Sequence, residues 1–371
     1  MAKSSFLPRY QKVANVVRKR IQQGDYALKA MPSERGLAQE LGVNAMTARH
    51  GLQILEKEGL LVRQDNGRVA IRKAQHGVKK HLNFAFLVPT LASHGIEKWR
   101  LAIEAVTAHL QCNVRTVVYM HWDDPLVLDA LNGFDGVFLD PSPEPMPESV
   151  SEQLRNKRHP VVSVDHDLSM LGVPSIQLFP PAFTQKLLDH LDAVGHRKIG
   201  CLNTQPDDPV IAERINIWRF WMGAHGYHGR LVNEPVAPYG DAMKAGYDAM
   251  ARQLSSARVQ ETAWYCTTVD CAIGAMKAIL DRNLKPGRDI AICAANGEGI
   301  ASYYYPAITA LEAADPHPFL SLCVQWMMDG RDWQGPLLMQ PTEIPLMIRE
   351  SSDPRLAARL PLLDHPGDHS H

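Results

Sequence analysis

Apolar residues recur every three or four positions through the first part of the chain, which is the period of amphipathic helices. A first helix is predicted over residues 9–23, with Gly24 placed to end it. Ser33 can cap a second helix that stops at Gly42, and Asn44 can cap a third that ends at Gly59. The predicted buried positions are Tyr10, Val13, Val17, Ile21, Leu37, Ala38, Leu41, Ala48, Leu52 and Leu55. Two helices joined by a tight turn predict a helix-turn-helix unit.

Two short strand-like segments follow the third helix. They cover residues 60–64 and 68–72 and are separated by Asp65-Asn66-Gly67. An Asn-Gly pair is a strong hairpin signal because both turn positions favour positive φ. Residues 1–75 are therefore predicted to form a winged helix-turn-helix, an α+β unit.

The outward side of the third helix is polar near its start, the end that a helix-turn-helix inserts into the major groove. Arg49 can bind a guanine edge or a phosphate, and Gln53 can reach a base or the backbone. Arg35 lies early in the second helix, where a phosphate contact is natural. For any one cation, a solvated surface charge is an equally good interpretation. The residues expected at DNA are Arg35, Asn44, Thr47, Arg49, His50, Gln53, Gly67 and Arg68.

The two parts of the chain differ in charge, although the formal total is -1. Residues 1–80 contain 16 Lys and Arg against 6 Asp and Glu, a balance of +10, and residues 81–371 contain 23 against 34, a balance of -11. A basic unit joined to an acidic one indicates a polyanion partner for the basic unit. On charge alone, a solvated basic face is the alternative.

The segment MPSERGLAQELGVNAMTARHGLQILEKEGLLV resembles the DNA-binding domain of the GntR family of bacterial transcription regulators. The resemblance extends over nearly all of residues 8–72, and its specific features are PSER, the LGV turn and LEKEGL. It implies that Arg35, Thr47, Arg49 and the wing around Gly67 contact DNA. Ala45 departs from the pattern, because the family usually has Arg at that position.

Strand-like and helix-like segments alternate from residue 82 onward. Strands are predicted at 82–88, 114–119, 136–139, 161–164, 198–202, 262–266 and 289–294. The alternation is typical of parallel sheets covered on both faces, and about 270 residues of it predict two such sheets. The predicted organisation is a linker over 76–81, a two-lobed α/β domain over 82–351 and a tail over 352–371.

Ligands of open parallel sheets bind at the carboxyl ends of the strands. Residues 90–94, Asp140, Asp165, Thr268 and Asn296 follow predicted strands and are candidates for a pocket. Their carboxylates, hydroxyl and amide suit a hydroxylated ligand, although a helix cap or a turn is an equally good role for each Asp. Four tryptophans could include a ring that stacks on a sugar, although core packing is favoured for each: Trp99, Trp122, Trp218 and Trp221.

A second resemblance covers this unit from end to end. The segments GVFLDPSP, PVVSVDHD, HLDAVGHRKIGCL, AIGAMKAIL, DIAICAANGE, YYPAITAL and IPLMIRESS are similar to the effector-binding domain of LacI-type regulators, which is related to periplasmic sugar-binding proteins. The resemblance implies effector contacts at Asp140, Asp165, Arg214, Asp241, Thr268 and Asn296. Thr268-Val269 stands where the family usually has Asn-Asp, and Asn296 stands where it has Asp, so the cleft lining is altered.

The two resemblances predict a ligand-responsive repressor that binds double-stranded operator DNA as a homodimer. Its effector is expected to be small and sugar-like, such as a monosaccharide; the alternative is a regulator whose pocket takes a non-sugar ligand or none. A solute-capture protein and a sugar-modifying enzyme are disfavoured. No cofactor or metal is expected, and no nucleophile elbow, phosphate loop, GxGxxG or HExxH motif is present.

Composition bears on location. The chain is 45% hydrophobic and 21% charged and has no run of about 18 apolar residues that could cross a bilayer. Residues 1–12 lack the apolar segment of a secretory signal, so a cytoplasmic protein is expected. The six cysteines include no CxxC pair and are expected to be reduced packing residues.

Overall fold

The computed structural model describes residues 7–65, 67–71, 82–91, 93–256 and 260–359. The predicted linker over 76–81, the Asn66 position of the hairpin turn and most of the predicted tail lie outside these residues. The first unit, hereafter the head, contains three helices and a hairpin. Its elements are α1 (Arg9–Gln22), α2 (Glu34–Glu40), α3 (Ala45–Lys57), β1 (Leu61–Arg63) and β2 (Val69–Ile71).

The predicted caps start the helices of the head. Ser33 accepts a hydrogen bond from the Gly36 amide at 3.1 Å, and Asn44 accepts one from the Thr47 amide at 2.7 Å. The core contains most of the predicted apolar positions together with the first residue of the hairpin: Val13, Val17, Leu37, Leu52, Leu55 and Leu61. Tyr10, Ile21 and Leu41 are only partly buried. Antiparallel β1 and β2 complete the predicted winged helix-turn-helix.

Two six-stranded sheets form the second unit, hereafter the body. The amino lobe begins with β3 (Asn83–Pro89), α4 (His94–His109), β4 (Asn113–Tyr119), α5 (Pro125–Gly133), β5 (Gly136–Leu139), α6 (Glu148–Arg155), β6 (Val161–Val164) and β7 (Ser175–Ile176). The carboxyl lobe contains α7 (Thr184–Ala193), β8 (Ile199–Asn203), α8 (Pro209–Ala224), β9 (Leu231–Asn233), α9 (Ala242–Ser255), β10 (Ala263–Cys266), α10 (Val269–Leu280), β11 (Ala291–Ala294) and β12 (Thr309–Leu311). The remaining elements are α11 (His317–Asp329), β13 (Leu338–Met339), β14 (Leu346–Met347) and α12 (Pro354–Ala357).

The chain passes between the lobes three times. After β12 it returns to the amino lobe, where α11 packs into the core and β13 pairs with β7. It then crosses back, and β14 pairs antiparallel with β12. The sheet orders are β13-β7-β6-β5-β3-β4 and β14-β12-β11-β10-β8-β9, and the other pairings are parallel. The predicted two-lobed α/β fold is confirmed.

Packing continues past the predicted end of the body at residue 351. Ser352 is buried and donates a hydrogen bond to Thr309 at 2.6 Å, and α12 follows it. All six cysteines are buried. The four tryptophans considered from the sequence, Trp99, Trp122, Trp218 and Trp221, are also buried and pack in the cores of the two lobes. In the part of the chain that the structure describes, no helix is long and apolar enough to cross a bilayer.

The loop between α1 and α2 touches the amino lobe. Arg115 on β4 donates a hydrogen bond to Asp25 at 3.0 Å. The carbonyl of Ala27 lies so close to Gly133 that a Cβ atom there would be 2.3 Å from the oxygen. The head therefore contacts the body through 24–28, a contact that the sequence did not predict.

Candidate functional site

The start of α3 presents most of its predicted contact residues to solvent. Asn44, Arg49, His50 and Gln53 are exposed, and Thr47 is partly buried. The oxygen of Asn44 is occupied by its cap bond to Thr47, which leaves the amide NH₂ group to meet a phosphate. His50 packs against Tyr10, with ring centroids 5.5 Å apart.

The wing and α2 lie beside this surface. Gly67, at the tip of the hairpin, has a φ of 76°, a conformation that favours glycine. Arg68 and Arg35 are exposed. Arg63 donates hydrogen bonds to the Gly67 carbonyl at 3.1 Å and to the Glu34 carboxylate at 3.0 Å, and so it connects the wing to α2.

Glu34 organises the cations of this surface. Its two carboxylate oxygens bind Arg49 at 2.9 Å and Arg63 at 3.0 Å, and Arg63 also binds Glu56 at 2.8 Å. Partial burial acts to raise the pKa of Glu34, but the two arginines outweigh it and lower that pKa. The sequence did not predict this protein partner for Arg49. Its side chain is 54% exposed, so DNA phosphates or bases can take the place of Glu34.

A cleft lies between the two lobes of the body at the carboxyl ends of their strands. Its cavity is about 420 Å³, within the usual range for small-molecule sites. Five of the six predicted effector residues line it: Asp140, Asp165, Arg214, Thr268 and Asn296. Asp241 does not. It is exposed and caps α9 by accepting a hydrogen bond from the Lys244 amide at 2.8 Å, so the structure corrects its predicted place.

Two polar contacts cross the cleft. His166, which follows β6, lies 3.6 Å from Asp140 on its own lobe and 3.4 Å from Asp208, which caps α8 on the other lobe. Ser142 and Tyr239 form a second cross-lobe contact, with their hydroxyl oxygens 2.8 Å apart. The lobes are therefore joined by side chains that a ligand or a hinge motion can separate.

The two carboxylates hold the charge of His166. Burial acts to lower the pKa of His166, but Asp140 and Asp208 outweigh it and raise this pKa to about 10. For Asp208, burial acts to raise the pKa, but His166 and the α8 amides outweigh it and lower the value. The pKa of Asp140 stays raised because it is the most deeply enclosed of the three. The two carboxylates therefore favour the protonated form of His166.

Asp165 and Glu298 face the cleft from opposite lobes without a cation within 4 Å among the described residues. Burial, and then Asp140, raise the pKa of Asp165 to about 6. Burial, and then Asp270 and Asp165, raise that of Glu298 to about 8. Both residues have positive φ, 64° and 47°, which is uncommon for residues other than glycine and clusters at functional sites.

The remaining predicted residues are engaged by hydrogen bonds. The guanidinium of buried Arg214 donates to the carbonyls of Thr267 at 2.9 Å and Phe179 at 3.4 Å. Thr268 caps α10 and accepts a bond from Gln205 at 2.9 Å. Asn296 accepts from the Val269 amide at 3.0 Å and donates to Glu298 at 2.5 Å. Among the described residues, the guanidinium of Arg214 and the carboxylate of Asp165 form no ion pair.

Apolar side chains cover much of the cleft wall. Of the four tryptophans considered from the sequence, Trp99 is the one that lines the cavity, beside Leu178, Phe179 and Ile211. An apolar wall with a few convergent polar groups is typical of small-molecule sites. Trp99 is 3% exposed and packs in the core of the amino lobe, as the sequence favoured.

Sequence reasoning missed five charged residues that line the cleft, which are Lys98, His166, Asp208, Glu298 and Asp315. Asp208 precedes Pro209 at the start of α8, so it had the signal of a helix cap. His166 and Glu298 lie within two residues of predicted contacts, and extending the search past the first polar residue after each strand would have found them.

Two family models match the chain. Residues 9–71 match "Bacterial regulatory proteins, gntR family", and residues 188–352 match "Periplasmic binding protein-like domain". The chain is 25% identical over 144 residues to the HTH-type transcriptional regulator AscG of Escherichia coli (strain K12), a match that covers 38% of this chain and 42% of AscG. The chain spans about half the length of the curated relatives it matches.

Solved structures share the fold of the body. A LacI family transcriptional regulator from Bifidobacterium animalis subsp. lactis aligns with a TM-score of 0.61 and 17% identity, over 73% of this chain and 98% of that one. The lac repressor dimer bound to operator and the anti-inducer ONPF aligns with a TM-score of 0.57 and 19% identity, over 74% and 95% of the two chains.

The fold and the matched models define a two-part architecture in which a GntR helix-turn-helix domain precedes a periplasmic-binding-protein-like body. The sequence predicted this two-part architecture. The relatives named above are transcriptional regulators and not enzymes.

Proposed function

We propose that this protein is a transcriptional repressor that binds operator DNA through its head and is controlled by a small hydroxylated effector in the cleft of its body. The observation that carries the proposal is the position of His166, which contacts Asp140 of one lobe and Asp208 of the other lobe across the cavity. An effector that replaces these cross-lobe contacts changes the relative position of the lobes.

The head supports the DNA half of the proposal. Exposed Arg35, Arg49 and Gln53 surround the start of the recognition helix, and the wing lies beside them. Arg49 can exchange Glu34 for a guanine edge or a phosphate because the pair is exposed. Asn44, Thr47, His50, Gly67 and Arg68 complete the proposed contact surface.

Two heads are proposed to act together. One winged helix makes too few base contacts to select an operator among roughly a million competing sites, whereas two linked heads multiply their selectivity. The lac repressor, whose body fold this chain shares, is a dimer on its operator. We therefore propose a homodimer that reads a two-fold site.

The effector half depends on the cleft residues Asp140, Asp165, Arg214, Thr268 and Asn296. They offer carboxylate, hydroxyl, amide and guanidinium groups beside Trp99 in a cavity of about 420 Å³. This combination fits a ligand the size of a monosaccharide. Binding is proposed to alter operator affinity because the effector stabilises one of two lobe arrangements.

Operator binding tests the DNA half. The full-length protein is first used to select operator duplexes from a random library. The affinities of the wild type and of Arg49→Ala for these duplexes are then measured by fluorescence anisotropy. The variant is expected to bind about 10- to 100-fold more weakly, the loss of one base or phosphate contact of about 1–3 kcal/mol. Arg219→Ala, which removes an exposed arginine from α8 in the body, is the control and keeps wild-type affinity. Equal affinity of Arg49→Ala and wild type would contradict the proposed interface.

A further inference from the structure

The interior of the cleft contains more carboxyl groups than cationic groups. Asp140 and Asp208 share the cation of His166, at 3.6 and 3.4 Å. Asp165 and Glu298 have no cation within 4 Å among the described residues, and the buried guanidinium of Arg214 donates instead to two backbone carbonyls. The enclosed carboxylates therefore outnumber the enclosed cations.

The two unpaired carboxylates converge on one place. A Cβ atom built on Gly95, at the start of α4, would lie 3.7 Å from an oxygen of Asp165 and 3.8 Å from the carboxyl carbon of Glu298. Asp165 belongs to the amino lobe and Glu298 to the carboxyl lobe, so the pair faces across the cleft. Asn296 holds Glu298 in this position with a hydrogen bond of 2.5 Å.

The start of α4 does not neutralise this pair by hydrogen bonding. The amides of Gly95 and Ile96 are already bonded to Ser93, at 3.1 and 3.3 Å. Lys98 lines the cleft at its exposed rim, over Gly299. Lys98 and Arg214 act to lower the pKa of Glu298, but burial, Asp270 and Asp165 outweigh them and raise it. A ligand that displaces water from this part of the cleft leaves two neighbouring carboxyl groups in a low dielectric, where each must stay protonated or be neutralised by a positive charge on the ligand.

We infer that the effector is a small hydroxylated molecule with an ammonium group, such as an amino sugar, and that its ammonium binds between Asp165 and Glu298. The inference rests on the proposed function of the cleft and names the chemical class of its ligand. An ammonium has three donors and can bond to both carboxylates at once, which connects the lobes. Uronates and sugar phosphates are expected to bind more weakly than the amine, because they would bring an anion next to the carboxyl groups of Asp165 and Glu298.

The experiment must separate recognition of the ligand's charge from recognition of its shape. Full-length protein is titrated by calorimetry with 2-amino-2-deoxy sugars of the gluco, galacto and manno series. The neutral parent sugars, the N-acetylated forms and the uronates of the same three configurations are titrated for comparison. The tightest ligand is expected to be a free amine that binds at least about 10-fold more tightly than its parent and its N-acetyl form. Its binding is expected to release protons near neutral pH, measured in buffers of different ionisation enthalpy.

Two variants locate the charge. Glu298→Gln and Asp165→Asn should each weaken the binding of the amine by about 10-fold or more and reduce the proton release. The difference in affinity between the amine and its parent sugar should become smaller. Glu213→Gln, an exposed position on α8, is the matched control. Thermal unfolding and operator binding without ligand confirm that each variant is folded.

The outcomes separate the inference from the function on which it rests. A neutral sugar or a uronate that binds more tightly than every amine overturns the inference and leaves the proposed repressor intact. Selective amine binding that both cleft variants retain in full overturns the assignment to Asp165 and Glu298. If no member of the panel binds, the inference and the effector half of the proposed function are both rejected, while the DNA half remains.

Discussion

The head and the body present their charges in opposite ways. On the head, Arg49 and Arg63 share Glu34 at the surface, and the Arg49 side chain is 54% exposed. In the body, Arg214 is 5% exposed and its neighbours Asp165 and Glu298 are enclosed by two lobes. Exposed ion pairs are weak and exchange partners readily, whereas an enclosed charge must be compensated. The head is therefore suited to a polyanion and the cleft to a selected small ligand.

The two units also differ in how far apart in sequence their functional residues lie. The head places its contact residues with local signals, the caps Ser33 and Asn44 and the turn at Gly67. The cleft requires residues from both lobes, and the chain crosses between the lobes three times. Changes that loosen one unit should therefore leave the other folded, which the predictions below test.

The largest expected effect is on the stability of the body. Gly274 of α10 packs directly against α9, and a Cβ atom there would lie 2.0 Å from the Met243 carbonyl oxygen and 2.6 Å from the Tyr247 nitrogen. Gly274→Ala must separate the helices, which costs about 1–3 kcal/mol or more. All seven tryptophans lie in the body, so tryptophan fluorescence during thermal unfolding is expected to show a transition several degrees lower.

The matched change in the head is Gly51→Ala. Its Cβ atom would lie 2.7 Å from a methyl group of Val13 and 2.9 Å from the Tyr10 carbonyl oxygen, between α1 and α3. This variant should weaken operator binding on warming and leave the tryptophan transition unchanged. A shift of the tryptophan transition as large as that of Gly274→Ala would show that the units unfold together, and the comparison would fail.

A smaller effect is expected from the unpaired charge of the cleft. The pKa of Glu298 is raised from 4.5 to about 8 in the folded protein, so the folded state binds the proton more tightly. Its contribution to stability is fully present below pH 4.5 and is lost as the pH rises through 8. Glu298→Gln should therefore match the wild type near pH 4.5 and unfold at a higher temperature at pH 9, by about 2 °C or more without ligand.

The pH dependence makes this prediction specific. Glu213→Gln, on the exposed side of α8, should show no such divergence between the two pH values. The cation of His166 complicates measurements above pH 9, because its stabilising contribution is lost as the pH rises through about 10. A Glu298→Gln variant that is less stable than the wild type at both pH values would mean that the carboxylate is compensated in the folded protein.

Local sequence signals predicted the helices and strands, whereas contacts between the lobes determine which residues form the cleft. The third helix was expected between Asn44 and Gly59 and is Ala45–Lys57, because a cap and a terminating glycine act within one turn. Asp208 and Asp241 have the same local pattern, a carboxylate before a helix, and both are caps. Asp208 meets His166 across the cleft and Asp241 does not, a difference that depends on the packing of the lobes and that no local pattern contains.

The smallest expected effect concerns the contact between head and body. Arg115 donates to Asp25 at 3.0 Å, and the two side chains are 38% and 41% exposed. Such a pair contributes about 0–1 kcal/mol, so Arg115→Ala should change operator affinity by less than about 5-fold, and by less still at high salt. Arg155→Ala, which breaks the exposed pair with Glu148 in the same lobe, is the control.

The informative measurement is operator affinity with and without a bound effector. If the contact through 24–28 transmits lobe position to the head, Arg115→Ala should reduce the ratio of the two affinities. An unchanged ratio would assign the coupling to other parts of the chain.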